Sequence, residues 1–460
     1  MTMWFIDQDA LKRPVYLSLA DQINRAISDG RLADGTRLPP HRVLADSLKL
    51  SVQTVSRAYE ELIRRGLLSG ETGRGTFVRR EEPVGQLPYI PERLGEVIDL
   101  SILKPVCETM HLDRMKAALA GLSADLPPSV ALSFRPNVIF PRHRAVAADW
   151  LRLCGLDVSP HNVCLTNGAT AGMTIALMSV AQTGGVVATE AIGHHTLTPL
   201  AAYLGLKLAA VEIDDDGIVP EALDALCRAE GVRAVFVQPS GINPTAVVMS
   251  AERREAIAAV ARAHDLAIIE NDGLGPLIEG RPPPLAAFAP ERTLYVTSFT
   301  KIVMPGLRTG YLAVPDRMLA AVTNRHLVTN WIATPLIAEI ATRWVADGTA
   351  MELVRWQRGA LRRRQAVAAQ MLVGIPYRAH AEGLHAWIPL DSRAAEDLFV
   401  AQARLRGVAV APGRSFQTGA AEQPAVRISL GSTTEEELRA GLRIVTNLIH
   451  SDPEPLLLAI

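Results

Sequence analysis

SFTKIVMPGLRTG, residues 298–310, sets Lys301 behind Ser298 and Thr300, follows it with a Pro305-Gly306 turn, and brings in Arg308 seven positions later. The stretch comes directly after an apolar run, TLYVTS. Working outward, similar runs recur as GGVVATE, LKLAAVEI, RAVFVQPS, DLAIIEND and TGYLAV, separated by helical stretches such as SAERREAIAAVARAHD. This alternation predicts a doubly wound, mostly parallel α/β sheet. Near-continuous apolar strands are what burial on both faces requires. HAWIPL, GVAVAPG and AVRISL, in the last hundred residues, predict a smaller α+β subdomain.

In an open α/β sheet, ligands bind outside the carboxyl ends of the strands. Three such ends carry polar residues here: RAVFVQPS runs into GINPTA, DLAIIE into Asn271-Asp272, and TLYVTS into the lysine turn. A lone lysine after a strand is ordinarily a solvated surface group. In this company it can form a Schiff base with an aldehyde. The aldehyde that fits best is pyridoxal 5'-phosphate, whose ring acts as an electron sink. Lys301 would supply the imine nitrogen. Asp272, or the neighbouring Asn271, would face the pyridine nitrogen. Ser298, Arg308 and the turn TNGAT, where Gly168, Ala169 and Thr170 open a helix, would hold the phosphate, since helix N-terminal amides favour anions. Asn243 would donate to the ring's 3-oxygen, although Asn-Pro is also a turn signal.

The chain has 460 residues, too many for one compact core. The expected division is 1–80, a linker at 81–98, and 99–460. The whole chain carries a net charge of −1, but residues 1–80 hold 13 Lys+Arg against 9 Asp+Glu. A mildly basic head on an acidic body permits nucleic-acid binding there. Residues 14–65 predict three short helices, the third starting at the N-cap Ser51 and burying Val55, Tyr59, Leu62 and Ile63. LSGETGRGTFV predicts a hairpin with Gly73 and Gly75 near its tip. Together these make a winged helix-turn-helix, whose second motif helix enters the major groove. Ser51, Gln53, Thr54 and Arg57 would lie at the bases and phosphates; Gln suits adenine and Arg suits guanine. Arg42 and Arg74 would touch the backbone. The 81–98 segment, with Pro83, Pro88 and Pro91, reads as semi-rigid. The four cysteines form no CxxC pair, no spacing suggests a metal site, and no run is long and apolar enough to span a membrane. A cytoplasmic location is the expectation.

RLPPHRVLADSLKLSVQTVSRAYEELIRRGLL and GRGTFV resemble the GntR family of bacterial regulators. TNGATAGM, INPTA, IIENDG and SFTKIVMPGLRTG, in that order, resemble fold-type I aminotransferases. Joined, they resemble the MocR/GabR group of regulators across nearly the whole chain. The resemblance implies that His194 stacks on the cofactor ring and that Arg427 clamps a carboxylate bidentately. It also implies a homodimer. Relatives often carry an acidic pair followed by a tyrosine where this chain has ENDGLGPL, so Gly273 or Leu274 replaces the tyrosine. If Asn271 faces the pyridine nitrogen, no carboxylate stabilises its protonated form and carbanion chemistry slows. The expected function is therefore a regulator that senses a small amine or amino acid by external aldimine formation at Lys301. The alternative is a working aminotransferase tethered to DNA.

Overall fold

The computed structural model describes residues 6–7, 10–29, 31–33, 35–64, 67–71, 75–78, 97–135, 140–419 and 422–450. The chain divides into two compact units, Met1–Leu87 and Pro88–Ile460.

The first unit holds three helices, α1 (Val15–Ser28), α2 (His41–Leu48) and α3 (Val52–Arg64), and an antiparallel hairpin of Leu68–Glu71 with Gly75–Val78. Ser51 caps α3, its Oγ accepting the Thr54 amide at 3.1 Å. Val55, Tyr59 and Leu62 form the inward stripe of α3 and pack on Leu19, Ile23, Leu44 and Val78. Buried Tyr59 donates its hydroxyl to the Pro39 carbonyl at 2.9 Å. Ile63 departs from expectation: it is 43% exposed. One residue past Leu62 is a 100° turn about the axis, which carries Ile63 off the stripe. Gly73 and Arg74 lie outside the described residues, as does the expected linker apart from its last two residues. One of those two, Ile98, begins the short strand Ile98–Asp99, which pairs in parallel with Val408–Ala409.

The second unit is built on a seven-stranded sheet. From one edge the order is Val163–Thr166, Gly310–Ala313, Thr293–Ser298, Ala267–Asn271, Val232–Val237, Val186–Glu190 and Lys207–Val211. Only Gly310–Ala313 runs antiparallel to its neighbours. The six anticipated strands are present; Val163–Thr166 was not anticipated. Successive side chains point to opposite faces. Ala267 and Ile269, with Val296 and Phe236, pack against the helix Ala169–Val180. Ile268, Val235 and Val237 pack on the other face with Ile257 and Ala261 of the helix Ala251–Ala263.

The smaller subdomain carries a four-stranded antiparallel sheet, in the order Arg378–Ala379, His385–Pro389, Ala425–Ser429, Ala411–Pro412. The segment GVAVAPG holds two short strands, Val408–Ala409 and Ala411–Pro412. The long helix Thr349–Met371 joins the two cores, with Leu353 and Leu361 in one and Val367 and Ala368 in the other. Among the described residues no helix is long and apolar enough to cross a membrane.

Leu62 is fully buried in the head. Leu62→Ala is expected to destabilise that unit by about 2–5 kcal/mol, the usual cost of such a cavity. Scanning calorimetry should show one transition falling in temperature while that of the larger unit stays in place; equal shifts in both would refute the separation.

Candidate functional site

At the carboxyl ends of the large sheet Lys301 lies within electrostatic reach of Arg308, Arg427 and His194, Arg427 bonds Asn243, and Arg308 lies beside the Gly168 turn, while Asp272 is turned away from them. Strand Thr293–Ser298 ends in buried Ser298 and turns into Lys301. Strand Val163–Thr166 ends in the turn to Gly168, which has φ 82° and precedes the helix Ala169–Val180. No side chain caps that helix, so its first amides are free to face an anion. A Cβ on Gly168 would lie 3.2 Å from Nη2 of Arg308, so the exposed Arg308 guanidinium lies beside the turn. Thr170 is exposed on the first turn.

Lys301 donates from Nζ to the carbonyl of Leu103. Burial, then the charges of Arg427 and Arg308, lower its pKa to about 8. Near neutral pH a far larger minority of this amine is therefore uncharged and nucleophilic than of an ordinary lysine. Arg427 reaches the crevice from the strand Ala425–Ser429 and is 1% exposed. Its Nη1 donates to Asn243 Oδ1 at 2.7 Å, and its Nη2 donates to the Ser101 carbonyl. The Phe416 ring lies under the guanidinium, 4.9 Å away. Asn243 Nδ2 is 3.4 Å from His195 Nδ1. His194 stacks on His195, with ring centroids 5.1 Å apart, and meets the Phe236 ring edge-on. Burial, then Lys301 and Arg427, pushes the pKa of His194 down to about 4, so it presents a neutral ring.

The structure separates the two residues of the Asn271-Asp272 pair. Asn271 continues the Ala267, Ile269 face, on which the helix Ala169–Val180 packs, and pairs in register with Val296. Its Oδ1 is buried and has no hydrogen-bond partner. Asp272 points to the other face. Its Oδ2 accepts the Tyr295 hydroxyl at 2.6 Å and lies 2.8 Å from Nη2 of Arg281. Both side chains of that ion pair are shut off from solvent, and removing either would cost about 3–5 kcal/mol. Arg281 is held in turn by the Cys154 carbonyl at 2.8 Å. Gly275 closes this side: a Cβ there would lie 2.1 Å from Asp272 Oδ1.

Ser101, Leu103, His195 and Phe416 also belong to the crevice, and the sequence did not point to them. Ser101 and Leu103 act through main-chain carbonyls, which leave no side-chain signature. His195 was one of two adjacent histidines with nothing local to separate them. In the head, Ser51 and Thr54 hydroxyls bond each other at 2.8 Å at the start of α3. Gln53, Arg57 and Arg42 are exposed, and Arg57 lies over the Tyr16 ring at 4.8 Å. Arg74 lies outside the described residues.

A primary amine of lowered pKa, an uncapped helix N-terminus beside a guanidinium, and an orphaned buried carboxamide suit an aldehyde that carries a phosphate and a ring nitrogen. The comparisons with known proteins agree. The description "Aminotransferase class I and II" matches residues 129–445, and "Bacterial regulatory proteins, gntR family" matches residues 15–78. The uncharacterized HTH-type transcriptional regulator YdeF of Bacillus subtilis is 28% identical, over 97% of this chain and 96% of its own. The HTH-type pyridoxine biosynthesis transcriptional regulator PdxR of Corynebacterium glutamicum is 27% identical, over 94% and 95%. Among solved structures, LysN, the α-aminoadipate aminotransferase of Thermus thermophilus complexed with N-(5'-phosphopyridoxyl)-L-leucine, overlays with a TM-score of 0.70 at 20% identity, covering 77% of this chain and 92% of that one. Enzymes of this class depend on pyridoxal phosphate, and relatives that match over nearly their whole length are regulators. The chain thus belongs to the class I and II aminotransferase family and, with a GntR-type helix-turn-helix at its head, is a regulator of the MocR type.

Proposed function

We infer that this protein binds operator DNA through its head and senses a small amine or amino acid at the Lys301 crevice. The observation that carries this reading is the meeting of Lys301 and Arg427, one from each subdomain, close enough for the guanidinium to depress the amine's pKa. Lys301, Ser298, Arg308 and the Gly168-Ala169-Thr170 turn would hold the cofactor, with His194 against its ring and Asn243 at its 3-oxygen. When bound, pyridoxal phosphate supplies an aldehyde carbon that exchanges one amine for another. Arg427 would receive the effector's acid group.

Signalling requires that the effector bind two states of the protein unequally. Chain connectivity supports a route. The segment leaving the 81–98 linker enters the second unit as Ile98–Asp99, and its Ser101 and Leu103 carbonyls accept from Arg427 and Lys301. An effector that engages both cations competes for both carbonyls. A homodimer in the cytoplasm fits this role, since paired heads read paired half-sites. Leu132, Phe134 and Val328, at 83%, 71% and 85% exposure, offer apolar surface for a second copy to cover.

Cofactor uptake should follow the ionisation of Lys301. Below about pH 8 the amine is largely protonated and cannot attack an aldehyde; above it the free amine dominates. The rate of colour development on adding pyridoxal phosphate should therefore rise from pH 6.5 to 8.5. Arg427→Met removes a positive neighbour, raises the amine's pKa and should move the curve to higher pH. A flat profile in both proteins would contradict the assignment.

Effector recognition divides in the same way. Cofactor-loaded protein should change both its visible spectrum and its affinity for DNA from its own promoter region when an amino acid is added. Lys301→Ala should lose both responses. Arg427→Met should keep its colour and answer simple alkylamines, but lose at least tenfold in apparent affinity for amino acids. Equal affinities for the two ligand classes in wild type would remove Arg427 from the role.

On the DNA side, Arg57→Ala should weaken operator binding by about 1–3 kcal/mol, and Arg42→Ala should lower the slope of affinity against salt by about one. Fluorescence anisotropy across a salt series reads both, and unchanged affinity in both variants would displace the interface from α3.

A further inference from the structure

At the end of the strand Ala267–Asn271 stand a carboxamide, Asn271, and a carboxylate, Asp272, on opposite faces of the sheet. We propose that Asn271, and not Asp272, faces the ring nitrogen of pyridoxal phosphate, which therefore stays unprotonated in this protein. The inference rests on the reading of Lys301 as the cofactor's amine, and it adds what kind of cofactor chemistry the domain sustains.

Strand geometry carries the argument first. Side chains alternate between faces along Ala267–Asn271, and Asp272 stays in the ladder, its amide donating to the Val296 carbonyl at 2.8 Å. Asn271 shares a face with Ile269, Phe236 and Val296, the face of the helix that begins at Gly168. His194 meets Phe236 on this same side. Asp272 shares its face with Glu270 and Tyr295.

The acids at these strand ends are the second line. Asp272 is engaged by Tyr295 and Arg281 and walled in by Gly275. Glu270 accepts the Leu285 and Ala286 amides at 2.8 and 2.7 Å. Glu190 accepts the Gln238 amide at 2.6 Å and the Thr189 hydroxyl at 3.0 Å. Among the described residues, each of these three buried carboxylates has at least one oxygen hydrogen-bonded; Asp272 Oδ1, like Asn271 Oδ1, has no partner, but it lies against Gly275 on the other face of the sheet. Asn271 is 8% exposed, and its Oδ1 has no partner.

Charge is the third. A carboxylate beside a pyridine nitrogen favours the protonated ring through opposite charge, and a carboxamide carries no net charge. Among the described residues, the titratable and charged groups around Lys301 and Arg427 include the cation Arg308 and the rings of His194, His195 and His385, whose pKa values are all lowered, first by burial. Positive neighbours disfavour a further positive charge. An unprotonated ring withdraws electrons weakly, so exchange of amines at the aldehyde carbon persists while carbanion formation is suppressed.

The test is the nitrogen resonance of the ring. Full-length protein loaded with pyridoxal phosphate labelled with nitrogen-15 in the ring should show the signal at the unprotonated position, calibrated by titrating the free cofactor in the same buffer. Asn271→Asp should move it by the full displacement toward the protonated position. Asp272→Asn, which acts on the far face, should leave it unmoved. A protonated signal in wild type, an unmoved signal in loaded Asn271→Asp, or a shift in Asp272→Asn would each overturn the inference while leaving the Lys301 site intact. Should a variant fail to fold, the wild-type signal alone decides. Absence of cofactor uptake in wild type, or borohydride fixing the label at a residue other than Lys301, would instead defeat the underlying reading.

Discussion

Lys301 and buried Arg427 share a poorly hydrated site with exposed Arg308 at its edge, and like charges gathered there repel. Lys301, Arg308 and Arg427 depend on one another: the two guanidiniums, after burial itself, hold down the basicity of the lysine. The uncapped start of the helix Ala169–Val180 adds a partial positive charge to the same space. Such a site suits a phosphorylated, carbonyl-bearing cofactor and, under the proposed function, a second ligand that is both amine and acid. Its electrostatics favour capture of anions before any chemistry is considered.

Arg427 gives that field a mechanical consequence. It extends from the four-stranded sheet and is satisfied by Asn243, which belongs to the large sheet's loops, and by the Ser101 carbonyl. A carboxylate docking there in bidentate fashion must replace or rearrange those bonds. The stretch that loses them is the one by which the chain enters the unit, between Ile98–Asp99 and the Leu103 carbonyl that faces Lys301. Under the proposed function, ligand contacts and the chain path toward the linker would be coupled through a handful of main-chain acceptors, with no long-range network required.

Much of this was legible in the amino-acid order because burial imposes periodicity. Six strands were readable from apolar runs bounded by polar turns, and Lys301, Arg308 and the Gly168 turn from their positions at strand ends. Val163–Thr166 escaped because four residues lodged between a Pro-His-Asn turn and Asn-Gly carry too little pattern. Ile63 was misplaced by a single step of helical phase, which an apolar residue at the end of a stripe does not reveal. The choice between Asn271 and Asp272 could not be made from a run that stops at both. The proposal for Asn271 rests on Arg281, nine residues beyond Asp272, and on Tyr295 of the neighbouring strand, and contacts of that kind have no local signature.

The same logic explains why the polar residues of α3 do not contribute equally. Ser51 and Thr54 were expected at the DNA, yet their hydroxyls bond each other, and Ser51 also caps the helix. A hydroxyl engaged in ending a helix is a fixed acceptor whose lone pairs are partly used, so it sets the orientation of α3 more than it reads a base. Gln53 and Arg57 are exposed, with longer side chains and planar groups able to form two bonds to one base. Arg57 lies over Tyr16, a contact that limits the freedom of its guanidinium and so lowers the entropy lost on binding. Under the proposed function, base reading by this head would fall to Gln53 and Arg57, both exposed on a helix whose inward stripe is buried.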